Sequence, residues 1–230
     1  MIKPLLWDSS FFGYAVGLIE LDTIENIDYN YLKLISKDYR LVYVFCKEEL
    51  ADDRMTLIDE KVTFIKEVNT EYFPLKLNSC KFYNENLSCF DQLLDLAYIS
   101  GEYSRFRLDV NFVNDEFKNL YREWITKSVK KINAIETLLF CESGILKGFV
   151  TLKKKDDNTS EIGLISVCKD EQRKGVGGFL LGDVELLSSQ LGFNRIQVAT
   201  QRNNERAIRF YENNGYVISD IIKVYHIWNK

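Results

Sequence analysis

Apolar positions along the chain change period several times, and each change marks an expected element. Over 23–37, Ile24, Ile27, Tyr31, Leu34 and Ile35 recur at helical spacing, which predicts a helix. Residues 39–46 (YRLVYVFC) are rich in aromatic and β-branched side chains and predict a strand, and 61–68 predict another. Residues 69–87 are polar and weakly periodic. Helices are expected at 90–100 and 114–131, the second with Phe117, Leu120, Trp124 and Val129 as its apolar stripe. Strands at 134–141 and 145–154 flank Gly144 as in a hairpin, and a charged turn leads into a strand at 161–167. A helix at 176–190, a strand at 194–200, a helix at 204–213 and one or two strands within 216–228 complete the pattern. Hairpins followed by strand–helix–strand–helix–strand predict an α/β fold with a mixed sheet and helices on its faces. The loss of periodicity near 69–87 places an expected boundary there. It separates a smaller N-terminal α/β region (1–88) from a C-terminal region (89–230). With only Pro4 and Pro74 and no Gly/Ser-rich linker, the two regions are expected to pack closely.

Composition narrows the function classes. The chain has 230 residues, 46% hydrophobic and 28% charged, which excludes wholesale disorder. A net charge of −4 argues against general nucleic-acid or anionic-membrane binding. Five cysteines without a C-x-x-C pair, together with a single histidine (His226), give no zinc-site spacing. Free thiols, no metal and a reducing, cytoplasmic setting are expected. No apolar run approaches the ~20 residues of a membrane span, and the first residues lack a signal-peptide core.

Candidate chemistry begins at Ile165-Ser-Val-Cys-Lys-Asp-Glu-Gln172-Arg173-Lys174-Gly175-Val176-Gly177-Gly178. Here a strand ends and a glycine-rich turn opens a helix. Such a turn aims free N–H groups and a helix dipole at one spot, a binding site for phosphate or pyrophosphate. The Walker and dinucleotide patterns both fail, the latter because Leu180 stands where its third glycine belongs. The string does fit Q/R-x-x-G-x-G. Downstream, Asn204-Glu-Arg-Ala207-Ile-Arg-Phe210-Tyr211-Glu-Asn-Asn-Gly215-Tyr216 fits N-x-x-A-x-x-F-Y-x-x-x-G-[FY].

With both motifs in this order, the sequence resembles the GCN5-related N-acetyltransferase superfamily over about residues 90–230. That resemblance implies a mostly antiparallel mixed sheet with helices on both faces, and acetyl-CoA or another acyl-CoA as cosubstrate. It implies that backbone amides from Gln172 through Arg173, Lys174, Gly175, Val176 and Gly177 to Gly178 hold the pyrophosphate. It further implies pantetheine beside Ile165 to Val167, the Val167 amide as oxyanion donor, and Asn204, Ala207 and Phe210 on the coenzyme side. Tyr211 matches the family's general acid, and a phenol of pKa about 10 can protonate a departing thiolate. The base that neutralises the amine stays open among His226, Asp8, Glu161 and a water chain. Cys168 reads as a small buried residue rather than a nucleophile.

Two further segments, Trp7-Asp8-Ser9-Ser10-Phe11-Phe12-Gly13 and Ser104-Arg105-Phe106-Arg107, are similar to those of the dTDP-fucosamine acetyltransferase family, as is Gln197 to Gln201. This resemblance implies an acceptor that is a dTDP-linked amino-dideoxyhexose, acylated at its C3 or C4 amine during surface-polysaccharide synthesis. An acetyl or longer group such as 3-hydroxybutanoyl would be transferred. Arg105 and Arg107 suit a diphosphate, and Trp7, Phe11 and Phe12 suit a base or sugar face. The alternatives are another amine acceptor (peptide N-terminus, polyamine, aminoglycoside) or a non-catalytic acyl-CoA sensor. A homodimer is an open expectation.

Overall fold

The computed structural model describes residues 2–22, 28–50, 52, 54–68, 77–87 and 89–229. Ten strands form one sheet, in chain order β1 (Lys3–Pro4), β2 (Val16–Leu21), β3 (Leu41–Cys46), β4 (Leu57–Glu67), β5 (Lys81–Phe82), β6 (Glu136–Glu142), β7 (Ile145–Lys154), β8 (Thr159–Val167), β9 (Arg195–Gln201) and β10 (Val217–Trp228). Their spatial order is β1-β2-β3-β10-β4-β9-β8-β7-β6-β5. Among the described residues only β2/β3 and β8/β9 pair in parallel. The helices are α1 (Leu6–Phe12), α2 (Tyr29–Ser36), α3 (Phe90–Ser100), α4 (Arg105–Leu108), α5 (Glu116–Val129), α6 (Val176–Gln190) and α7 (Glu205–Asn213). The architecture is the expected α/β one.

Helices cover both faces of the C-terminal half. On one face α6 and α7 set Leu180, Val184, Leu187 and Tyr211 against Val62, Phe64, Ile162 and Val198. On the other, α3 and α5 set Leu93, Ala97 and Ile125 against Leu139 and Phe149. Each fully buried aliphatic side chain here contributes ~1.5–3 kcal/mol.

Several expected bounds shift. Glu116–Val129 is shorter at both ends than the expected 114–131, and β4 begins four residues before the expected 61. The stretch 216–228 is one strand, β10, irregular between Ile218 and Asp220. Residues 23–27 of the first expected helix lie outside the described residues; its later part is α2, capped by Asp28, whose carboxylate accepts the Tyr31 N–H at 2.7 Å. The Trp7–Phe12 stretch is the short helix α1, closed by Gly13 at φ 77°. Across the boundary expected at 88/89 the sheet is continuous. β4 lies between β9 and β10 and pairs with both, Lys61 with Gln201 and Val62 with Ile221.

Candidate active site

The parallel pair β8/β9 is joined only from Thr159↔Arg195 to Ile162↔Val198. Beyond it the two strands part, and a bulge on β8 accompanies the parting. Val150 faces Ile165 and Leu152 faces Ile162, so Thr151 of β7 opposes two residues, Gly163 and Leu164. Thr151 Oγ1 fills the missing ladder bond by accepting the Leu164 N–H at 2.8 Å. Further along, the Cys168 N–H donates to the Lys147 carbonyl at 2.8 Å. Antiparallel alternation then turns Ser166 toward β7 and the N–H groups of Ile165 and Val167 away from it, into the gap.

At the end of β8 the chain makes the glycine-rich turn. Arg173 (φ 64°) and Gly175 (φ 90°) are both left-handed, and Gly175 is the N-cap of α6. The N–H groups of Val176, Gly177 and Gly178 have no carbonyl one turn back, as at any helix start. A Cβ on Gly178 would meet nothing within 4 Å, so this face is open. A Cβ on Gly177 would stand 3.0 Å from the Phe210 ring, so that glycine also admits α7.

The α7 motif is explained by its spacing. Asn204, Ala207 and Tyr211 fall on the helix face turned to the sheet. Asn204 caps the helix, accepting the Ala207 N–H at 3.2 Å. Tyr211 is only 3% exposed and packs on Phe64, Phe210 and Tyr216 at ring distances of 5.4–5.7 Å. Burial pushes its pKa up, so the phenol stays protonated, the form a proton donor needs.

One cleft of about 1090 Å³ joins these parts. Ile165, Val167, Gln172, Arg173, Gly175, Gly177 and Gly178 line it together with Asn204, Ala207, Phe210 and Tyr211. Lys174 and Val176 do not line it. Lys174 pairs with Glu171 at 3.2 Å, and the Val176 side chain is buried in the core. Through the gap the cleft reaches the other face of the sheet, where Phe45, Asp59, Lys61, Arg105, Tyr121 and Trp124 line it.

Among the described residues no carboxylate lies within 4.0 Å of Arg105. Its guanidinium lies 4.8 Å from the Tyr43 ring centre and 4.4 Å from that of Phe106, and its buried Nε has no hydrogen-bond partner. The cation is held on aromatic faces and left free toward the cleft.

Other expected acceptor residues lie elsewhere. Arg107 is exposed, 5.2 Å over Phe117. Trp7 stacks on Phe11 at 5.2 Å and carries Lys127 over its ring. Phe12 packs on Phe106 and Phe112. None of these four lines the cleft. Of the four, Phe11 and Phe12 pack against the aromatic cluster that contains Tyr43 and Phe106.

The base candidates also separate. His226 is buried in β10, its Nδ1 2.6 Å from Asp109 Oδ2, between the rings of Tyr43 and Phe112. Burial lowers its pKa against the opposing pull of Asp109. Burial disfavours the Asp109 carboxylate, but hydrogen bonds from His226, Asn111 and Trp228 outweigh it and hold the pKa down to about 2. Neither His226 nor Asp8 lines the cleft, and Glu161 is tied to Lys153 at 3.0 Å and Gln197 at 3.0 Å. Cys168 is a half-buried thiol with its pKa raised by burial. Among the described residues no cluster of His, Cys, Asp or Glu could hold a metal, and no helix is long and apolar enough to cross a membrane.

The sequence reading missed Asp59 and Lys61. The expected strand begins at Lys61, which leaves Asp59 outside it and gives Lys61 no role, yet both lie inside β4. Period-two alternation sends Val62 and Phe64 to the α6/α7 face and Asp59 and Lys61 to the cleft. The alternation itself was the available signal.

A family model described as the acetyltransferase (GNAT) family matches residues 100–216, half of the chain. This chain belongs to the acetyltransferase (GNAT) family. The match spans the parted strands, the glycine turn and α7. The GNAT fold is shared by a conserved protein of unknown function from Staphylococcus epidermidis ATCC 12228 (TM-score 0.65, 14% identity, 94% of this chain and 84% of that one). It is shared also by the PaiA N-acetyltransferase from Thermoplasma acidophilum, solved with coenzyme A (TM-score 0.50, 18% identity, 66% of this chain and 99% of that one). In sequence, this GNAT chain is 24% identical over 138 residues to the spore coat polysaccharide biosynthesis protein SpsD of Bacillus subtilis (strain 168). That match takes in 60% of this chain and 47% of the relative, so it spans about half the relative's length. The family's acyl-CoA cosubstrate fits the residues present: an open N-terminal helix turn, inward N–H groups on β8 and a protonated Tyr211 in one cleft.

Proposed function

We propose that this chain is an acyl-CoA-dependent N-acyltransferase acting on the C3 or C4 amine of a dTDP-linked amino-dideoxyhexose. It would transfer acetyl, or a longer group such as 3-hydroxybutanoyl, in surface-polysaccharide (O-antigen type) biosynthesis. The observation that carries the reading is the single cleft through the sheet. On one side it has a glycine-rich turn at the open start of a helix and Tyr211, on the other a cation with no carboxylate in contact among the described residues.

In this reading the turn from Gln172 to Gly178 takes the pyrophosphate on its N–H groups. Ile165 and Val167 pair with the pantetheine amides. The Val167 N–H faces the thioester carbonyl and stabilises the oxyanion as the amine attacks. Tyr211 protonates the departing sulfur. No side-chain nucleophile is required, because amine and thioester meet directly. Arg105 holds the acceptor's diphosphate, a task suited to its planar fork of donors. The likeness to a polysaccharide biosynthesis protein supports the sugar acceptor.

The test is thiol release from acetyl-CoA with dTDP-3-amino- and dTDP-4-amino-dideoxyhexoses, spermidine and an N-terminal peptide as acceptors. Release with a dTDP-sugar alone is the expected outcome. Release with spermidine or peptide alone overturns the acceptor, and silence with all of them, also with 3-hydroxybutanoyl-CoA, overturns the activity.

A further inference from the structure

We propose that Asp59 is the group that receives the acceptor's ammonium and takes its proton. The inference rests on the acyltransferase reading above and extends it to a residue outside the coenzyme motifs.

An amine reaches the cleft mostly as an ammonium ion, which cannot attack a thioester until it loses a proton. Two acidic side chains line the cleft, Glu102 and Asp59. Glu102 is exposed and reaches Lys169 at 3.3 Å. Asp59 is 6% exposed and, among the described residues, has no ion-pair partner within 4.0 Å. Arg105 and Lys61 act on it only from beyond contact distance, and a buried carboxylate whose cations make no contact is only partly compensated. An incoming ammonium would supply the missing partner.

The surroundings tune the group for that task. Burial pushes the Asp59 pKa up to about 6, although Arg105 and Lys61 both pull it down. Arg105 faces it from α4, Tyr121 from α5, Lys61 and Glu60 from β4 itself and the Gln201 amide from β9, while β10 sets the apolar Val224 opposite it. A carboxyl titrating near 6 is ionised at pH 7 and still basic enough to take a proton in passing. His226 and Asp8, the earlier candidates, do not line the cleft.

The protons balance as follows. The ammonium gives one proton to the Asp59 carboxylate, which releases it to solvent. The neutral amine then forms the C–N bond, and the C–S bond breaks on collapse. The sulfur takes its proton from Tyr211, and the second proton shed by nitrogen returns through water to restore the phenol. One proton is released overall.

The experiment compares wild type, Asp59→Asn and Asp59→Glu by thiol release over pH 5–9.5 with the dTDP-amino sugar as acceptor. Binding of acetyl-CoA is followed by calorimetry. For wild type, kcat/KM for the acceptor should rise with pH through an apparent pKa near 6. Asp59→Asn should lose about 100-fold or more at pH 7. It should lack that ionisation and recover partly above pH 9, where more free amine is present. Asp59→Glu should keep a measurable share of activity. The donor KM and acetyl-CoA binding should stay at wild-type values, and Asp59→Asn should melt no lower than wild type. Turnover and a pH profile unchanged by Asp59→Asn overturn the role of Asp59 alone. Acetyl-CoA binding without turnover on any amine overturns the acyltransferase reading, and the role of Asp59 with it.

Discussion

Tyr211→Phe removes one hydroxyl from a ring already held by Phe64, Phe210 and Tyr216. The packing is retained, so the change isolates the proton. We expect kcat to fall about 100-fold or more with the donor KM unchanged, checked by steady-state thiol release. The glycine turn offers a second single-residue test. Gly177→Val would bring a side chain against Phe210, so any loss mixes packing with binding. Gly178→Val meets no protein atom, and its side chain would occupy only the open face. The donor KM of Gly178→Val should rise at least tenfold while the melting temperature holds; an unchanged KM would place the pyrophosphate elsewhere. These residues were legible because each motif is local: strand, turn and helix start in one run, then a cap and a helical face in another. Asp59 was not, because its meaning depends on pairing with β9 and β10, both far along the chain.

Helix α6 is anchored by a device that no motif marks. Asp183, buried on its inner side, accepts the N–H groups of Asn78, Ser79 and Cys80 at 2.7–2.9 Å. Burial opposes its charge, but the three hydrogen bonds prevail and its pKa lies below the ordinary value. The stability it contributes is present above the unfolded pKa near 4 and is lost as pH falls through the lower folded value. Asp183→Asn should cost about 2 kcal/mol or more at neutral pH, since hydrogen bonds to a charge are the stronger kind. The deficit should narrow as the pH falls below about 4, followed by thermal melts across that range. Strong period and length made α3 and α6 legible at element scale. α1 and β5 were missed because seven and two residues are too short to show a period.

At the scale of the molecule, the sheet interleaves the two halves of the sequence. β10 pairs with β3 on one side and β4 on the other, and β4 in turn pairs with β9. Composition and texture suggested a seam near 88, but nothing in a linear pattern reports which strands will become neighbours. The 89–230 fragment lacks the strand between β9 and β10 and the carboxylate wall of the cleft. Expressed alone, it should show no cooperative melt and no acetyl-CoA binding; a folded, binding fragment would make the N-terminal strands an accessory.

That interleaving also sets an order of events during synthesis. A ribosome delivers β3 and β4 early, yet the strand that belongs between them is residues 217–228. Until that stretch emerges, β3 and β4 carry unmatched edges, and the nascent chain must be kept from pairing with its neighbours. Arg105 and Asp59 therefore meet their final surroundings only when translation has passed β10. A stalled or truncated product would be a client for chaperones and proteases rather than a half-active enzyme.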